Sequence, residues 1–360
     1  MNYREYLKKE LDNIVFIEIK KDIEYNLKNK FILESGDYPI NIDNFKKIVV
    51  NKEENIKLNY ILDGIITVLG VDENFKLKDK YIKFLSSIDG IQSYIINIIE
   101  TNKASNIKKS IIFANVLCLL FKTEVNLINK FYLMNELSQK MNIDLTYAIE
   151  ETLKEILEIN PDSPSANYNL ALLYLNSDRE LAKHFLRKCL NYPITKKDAQ
   201  ELLDELEEVE NYDNAIELIK KEDYYNALKL LLPIVDKNLD NLNAIYYTAY
   251  CYRNLGNSQK AIYYLNLLPK EPQILEVLVE KGINMAQLGY FDEAISIFRD
   301  ALKLKPDDQT VICNIGVCQY YNGQLNEALN TLELALRLNK NDEVAAKWLQ
   351  IVKEELHNAR

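Results

Sequence analysis

Small residues recur at a fixed interval of 34 residues in the C-terminal part of this chain, and that interval limits its folds more than any other feature. Gly282, Gly289, Ala294 and Ala301 in residues 275–308 become Gly316, Gly323, Ala328 and Ala335 in residues 309–342. A period of this length marks a unit that cannot bury its apolar face alone and stacks on copies of itself. Small side chains let helix backbones approach closely. A glycine suits the turn between two helices, and Pro306, just past the second helix, cannot continue it. An array of helix pairs meets all three conditions.

Composition agrees. The 360 residues include only 9 glycines and 8 prolines, which favours helices over a turn-rich β fold. Hydrophobic content of 48% and charged content of 27% are those of an ordinary folded protein, long enough for two or three domains or one extended solenoid. The abundance of Lys, Asn, Ile and Tyr is that of an AT-rich bacterial genome.

Residues 1–129 read as helices without a clear repeat, at about 14–33, 43–50, 53–70, 76–87, 89–101 and 105–122, with a breaker at 34–43 that holds Gly36 and Pro39. Two divergent units follow at 130–195, the second carrying Ala171 and Ala182. The next small residue, Ala215, lies 44 residues after Ala171, so the phase breaks by 10. The inserted stretch, KKDAQELLDELEEVE, has Ala199, Leu202, Leu203, Leu206 and Val209 at helical spacing, which predicts an extra charged helix at 196–209. No Gly or Pro separates it from the helix that follows. Four units then occupy 208–342, and residues 343–360 read as a C-terminal capping helix with Ala345, Ala346, Leu349, Val352 and Leu356 on its apolar face.

The pieces GINMAQLGYFDEAISIFRDALKLKP and IGVCQYYNGQLNEALNTLELAL, in register over two consecutive units, closely resemble the tetratricopeptide repeat (TPR) family. The resemblance covers 208–342 well and 130–195 more weakly. Its usual tryptophan is replaced by Ile245, Leu278 and Ile312, and Lys340 stands where Pro306 would recur. It implies an all-α protein, an α-solenoid of helix pairs in a right-handed superhelix, here preceded by an irregular α-helical N-terminal region. It also implies a groove lined by the first helix of each pair, in which protein or peptide ligands bind. Carried over by position, the groove residues are Tyr168 and Asn169, then Tyr212, then Tyr246, Tyr247, Tyr250, Arg253 and Asn254, then Glu280, then Asn314 and Tyr320. The Lys and Asn pair with which chaperone-binding members clamp a C-terminal carboxylate has no counterpart.

Tyr246, Tyr247, Tyr250 and Arg253 form the best local candidate, because Tyr and Arg bring large contact area and directed hydrogen bonds to interfaces. Asn169 and Asn314 have amides that both donate and accept, as gripping a peptide backbone requires. With 24 tyrosines in the chain, some of these rings are expected simply to pack. Charge argues against nucleic acid as the ligand of the repeats. Residues 1–129 hold 19 basic and 18 acidic residues, whereas 130–360 hold 25 and 36, and backbone binding needs clustered cations.

Catalytic chemistry has little support. Neither His184 nor His357 belongs to a metal-binding or nucleophile–base spacing, and there is no phosphate loop. No cofactor or metal is expected. Cys118, Cys189, Cys251, Cys313 and Cys318 are scattered, as reduced packing thiols of a cytoplasmic protein are. The apolar run 110–121 is too short to cross a bilayer, and the N-terminus lacks a signal-peptide core. The expectation is a noncatalytic, cytoplasmic protein- or peptide-binding scaffold. The alternative is a peptide-sensing regulator with an N-terminal helical effector domain. A third reading, an enzyme hidden in residues 1–129, lacks both a histidine and a motif there.

Overall fold

In the computed structural model, residues 3–26, 30–51 and 56–358 are described. They form two compact units, residues 1–204 and 205–360.

The first unit begins with a short helix, α1 (Tyr3–Lys8), and a 3-10 turn at Leu11–Asn13. Where a helix over 14–33 is expected from the sequence, the chain forms strands. β1 (Ile14–Ile19) pairs antiparallel with β4 (Gly36–Asn41), and β2 (Ile23–Asn26) pairs with β3 (Lys30–Leu33) inside them. The nested pairing makes a ribbon whose register changes by one residue between its halves: Ile19 faces Gly36, but Ile23 faces Leu33. The two pairs are separate two-stranded sheets, joined by residues 20–22 on one side and 34–35 on the other. The physical reason for the correction is in the residues. Ile17, Ile19, Ile23 and Tyr25 alternate with Glu18 and Glu24, and β-branched and aromatic side chains on a half-buried face favour the pleat. Ile19, Leu33, Tyr38 and Ile40 enter the core, while Phe16 and Ile32 stay exposed.

The remaining helices of this unit are α2 (Ile42–Asn51), α3 (Leu58–Val71), α4 (Lys78–Ser86), α5 (Ile91–Asn102), α6 (Ile107–Leu120), α7 (Glu124–Met141), α8 (Thr146–Ile159), α9 (Pro164–Tyr174) and α10 (Arg179–Cys189). Residues 53–55 of the helix expected at 53–70 lie outside the described residues, as do 27–29 of the helix expected at 14–33. α3 is the apolar axis of the unit, with nine of its 14 residues buried. Two glycines set its neighbours. A Cβ at Gly64 would lie 1.9 Å from the Pro39 carbonyl oxygen on β4, and one at Gly70 would lie 2.3 Å from the Ile112 carbonyl oxygen on α6. The Tyr81 hydroxyl donates to the Asp37 carbonyl (2.9 Å) and ties α4 to the ribbon.

The extra charged helix and the first helix of the following unit are one element, α11 (Pro193–Lys220), 28 residues without an interior Gly or Pro. Then come α12 (Tyr224–Lys237), α13 (Leu242–Asn254), α14 (Ser258–Leu265), α15 (Leu275–Gln287), α16 (Phe291–Leu304), α17 (Gln309–Tyr321), α18 (Leu325–Leu338) and α19 (Glu343–Asn358). Residues 359–360 of the expected cap lie outside the described residues. α12, α13, α14 and α17 begin on Asp223, Asn241, Asn257 and Asp308, whose side chains accept from the backbone N–H three residues on. Gly256, Gly289 and Gly323 turn the chain between paired helices with φ of 77°, 85° and 76°. Glu222 holds the same place between α11 and α12 with φ 61°. The alanines selected by the period, from Ala171 to Ala335, are fully buried. Gly282 sits against the Phe298 ring and Gly316 against Leu332. From α12 to α19 each helix packs on the next, so the second unit is an α-solenoid.

Candidate functional site: the row of first helices

In the second unit α13, α15, α17 and α19 pack on their chain neighbours and also touch one another in sequence. These are the first helices of successive pairs and the cap. Their mutual contact makes them the crowded, inner side of the stack. Residues one helical turn apart on them share that side.

The candidates from α11 to α13 make two separate sets of ring contacts. Tyr212 meets Tyr247 edge-on with ring centroids 6.3 Å apart, Tyr247 meets Tyr246 at 5.4 Å, and Tyr250 meets Tyr224 of α12 at 6.1 Å. The tyrosines are half-buried. Burial, then Glu280, Tyr247 and Glu276, push the Tyr246 phenol up to about 12 against a smaller opposing pull from Arg253, so it stays a neutral donor at physiological pH.

Packing engages the charged candidates with one another. Arg253 lies over the Tyr250 ring at 4.8 Å and pairs through Nε with Glu280 of α15. Glu280 is only 4% exposed, so its carboxylate serves Arg253 and the Asn284 amide rather than an outside ligand. The Asn254 amide donates to the Tyr250 carbonyl on its own helix (2.8 Å) and remains exposed. Tyr320 leans on Trp348 of α19, centroids 5.6 Å apart, a contact the sequence reading missed. Tyr168 and Asn169 belong to the first unit and are not brought into this row; the Asn169 amide donates to Ser165 (2.8 Å) within α9.

Asn314 lines an open, mainly apolar recess of the row. A cavity of about 410 Å³ lies between α15, α16 and α17, bounded by Ile283, Gln287, Phe291, Asn314, Val317 and Tyr321. Tyr321 is 55% exposed and stacks on Phe291 at 5.4 Å, giving the recess an aromatic wall. The arrangement suits an apolar side chain held between aromatic walls, with two amides in reach of the backbone that carries it. The recess lies one unit C-terminal of the tyrosine cluster singled out in the sequence, and its lining includes the candidate Asn314. Among the described residues no group of three or more His, Cys, Asp or Glu side chains is placed to hold a metal.

Comparison with known proteins identifies the repeat. Profiles described as tetratricopeptide repeat match residues 243–273 and 285–349. Those residues are tetratricopeptide repeats. Among curated proteins, the BBSome complex member BBS4 of Mus musculus is 33% identical over 100 residues, covering 28% of this chain and 19% of that protein. BBS4 of Bos taurus is 28% identical over 166 residues, covering 45% and 29%. The chain therefore spans less than a third of the curated relatives it matches. Among solved structures, YrrB, described as a TPR protein with an unusual peptide-binding site, is similar at 20% identity and a TM-score of 0.37, over 55% of this chain and 97% of that one. MamA from Desulfovibrio magneticus RS-1 is similar at 15% identity and a TM-score of 0.35, over 42% and 96%.

Proposed function

We propose that this chain is a noncatalytic interaction scaffold whose TPR unit holds a peptide segment of a protein partner along its first helices. The observation that carries this reading is the recess between α15 and α17, where Tyr321, Phe291, Ile283 and Val317 meet the amides of Asn314 and Gln287. Aromatic and aliphatic anchors around a desolvated pocket, flanked by groups that satisfy a peptide backbone, are what interface hot spots are made of. The four candidate tyrosines continue the surface on one side, and Tyr320 with Trp348 on the other. Five buried cysteines, none in a disulfide, fit a reducing compartment such as the cytoplasm. Among the described residues no helix is long and apolar enough to cross a membrane.

The test is selection of a displayed random-peptide library on the full chain, followed by affinity measurement for the best peptide. Asn314→Ala and Tyr321→Ala are each expected to weaken it by about tenfold or more. Selected peptides that bind these variants and the parent alike would remove the recess from the site. The alternative reading, a peptide-sensing regulator, is favoured by one observation: residues 1–204 have a hydrophobic core of their own ahead of the four-unit array. It requires that the selected peptide change protease protection within that unit.

A further inference from the structure

β1 keeps one edge unpaired. It forms a two-stranded sheet with β4, so each strand has one edge inside the pair and one outside it. In an antiparallel pair the residues turn their backbone groups alternately to one edge and to the other. Which residues of β1 turn outward is fixed by β4. Pro39 stands opposite Phe16 and has no N–H to give. An unbroken ladder therefore places Phe16 and Pro39 where no hydrogen bond joins them. Asp37, opposite Glu18, agrees: its carbonyl accepts from the Tyr81 hydroxyl of α4 (2.9 Å), outside the pair. Ile14, opposite Asn41, falls in the same phase. Ile14, Phe16 and Glu18 thus turn their N–H and C=O groups away from β4, and among the described residues those groups have no hydrogen-bond partner.

Proteins usually guard such an edge with lysine, proline, a bulge or a cover. Residues 14–19, IVFIEI, hold neither lysine nor proline and are rich in good strand formers. Phe16 stacks on Phe75 at 6.2 Å and is still 51% exposed. A second copy of the same strand fits this edge. With Phe16 of one copy opposite Phe16 of the other, Ile14 faces Glu18 and Glu18 faces Ile14. All the outward residues of both strands then form hydrogen-bonded pairs, with two bonds to a pair. Any other antiparallel register leaves at least one of them without a partner in β1. The centred register also sets Lys20 of each copy opposite Asp12 of the other. Both side chains are exposed, and neither has an ion-pair partner among the described residues. Hydrogen bonding and charge therefore select the same arrangement, that of an isologous twofold contact.

We propose that β1 is a dimerisation edge, where two copies of this chain join their β1 strands antiparallel about a twofold axis at Phe16. The two sheets become one, in the order β4–β1–β1–β4. The exposed Phe16 rings meet beside the axis, and the outward backbone groups gain partners. A strand of six residues buries little area, so the dimer is a weak one, in the micromolar range. It presents the TPR unit twice, which favours partners that carry more than one copy of a binding segment.

The experiment is sedimentation velocity of the full chain from about 1 to 300 µM, a span suited to weak contacts. The weight-average mass is expected to rise from monomer towards dimer. Phe16→Pro removes an outward N–H and leaves the β1–β4 ladder intact, because position 16 gives no bond to β4. It is expected to weaken association about tenfold or more. Lys20→Asp sets like charges against Asp12 of the other copy and is expected to weaken it about tenfold at low salt and less at high salt. Adding Asp12→Lys exchanges the two charges and is expected to restore the parental affinity. If Phe16→Pro fails to fold, Phe16→Cys replaces it. Residues paired at the axis have Cα atoms about 5.5 Å apart, within reach of a disulfide. Mild oxidation is then expected to link copies carrying Phe16→Cys and not copies carrying Glu18→Cys, the five native cysteines being buried. A chain that stays monomeric throughout would overturn the proposal and leave the edge to an extended segment of another protein. A dimer indifferent to the variants, or a charge exchange that does not restore it, would overturn it as well.

Discussion

Replacing Arg253 with Met takes the guanidinium from between the Tyr250 ring and the Glu280 carboxylate, and leaves a carboxylate that is 5% exposed without its cation. Breaking one side of a buried pair is costly, whereas replacing both partners by apolar groups is often tolerated. We expect Arg253→Met to lower the stability of the second unit by about 3 kcal/mol in urea unfolding, and addition of Glu280→Met to recover at least half of that. Equal losses in the single and double variants would show that the pair is not coupled. The cysteines make a second test at this scale. All five are buried, and burial raises every one of their thiols: Cys251 up to about 12, Cys118, Cys313 and Cys318 up to about 11, and Cys189 in the same direction. An acid whose folded pKa lies above its unfolded value, about 8.5 for a thiol, stabilises the fold fully below the unfolded value and loses that contribution as pH rises through the folded one. Stability is therefore expected to fall between about pH 9 and 12, and a thiol reagent at pH 8 to label the protein only after denaturant is added. Rapid labelling of the native chain would contradict this.

Among the elements, the turn between α11 and α12 is the exception in its series. Gly256, Gly289 and Gly323 fill the left-handed position that Glu222 occupies there at φ 61°. A side chain in that region costs about 1–2 kcal/mol, part of which glycine returns through its larger unfolded entropy. Glu222→Gly is expected to stabilise the second unit by about 0.5–1 kcal/mol, and Gly282→Ala to destabilise it by about 1–3 kcal/mol, because the new Cβ would lie 2.4 Å from the Phe298 ring. Chemical denaturation of the two variants checks both signs. The same residues explain what the sequence could show. The solenoid was legible because its packing repeats: Ala249, Ala261, Ala294 and Ala328 are all fully buried at the spacing that located them. The ribbon at 14–41 was not, because its alternating face is interrupted at Lys20–Asp22 and its pairing joins residues as far apart as Ile14 and Asn41. Nor was the Tyr320–Trp348 contact, which joins α17 to α19 across an intervening helix. The aromatic run Tyr212–Tyr247–Tyr246 follows the groove residues carried over by position, whereas the burial of Glu280 depends on the neighbouring unit that supplies Arg253.

At the scale of the whole molecule, two kinds of core coexist. Residues 7–170 contribute to one large cluster in which strands and helices distant in sequence meet, while the second unit has three smaller clusters, each confined to adjacent helices. The first resembles a globular domain, in which loss of one part undermines the rest. The second is close to a sum of nearest-neighbour terms. Calorimetry of the full chain is expected to resolve a sharp transition and a broader one, and residues 193–360 expressed alone, with α11 intact, to reproduce only the broader. A single transition shared by both would mean that the two cores melt as one. The chain of contacts from α13 to α19 has a mechanical consequence too. Because each helix of the second unit packs mainly on the next, tension applied along it is shared by weak links in series, as in a coiled spring. Pulled at residues 205 and 358, the unit should lengthen in small steps at low force, each opening one turn of the stack and widening the recess beside Tyr321 before any helix unwinds.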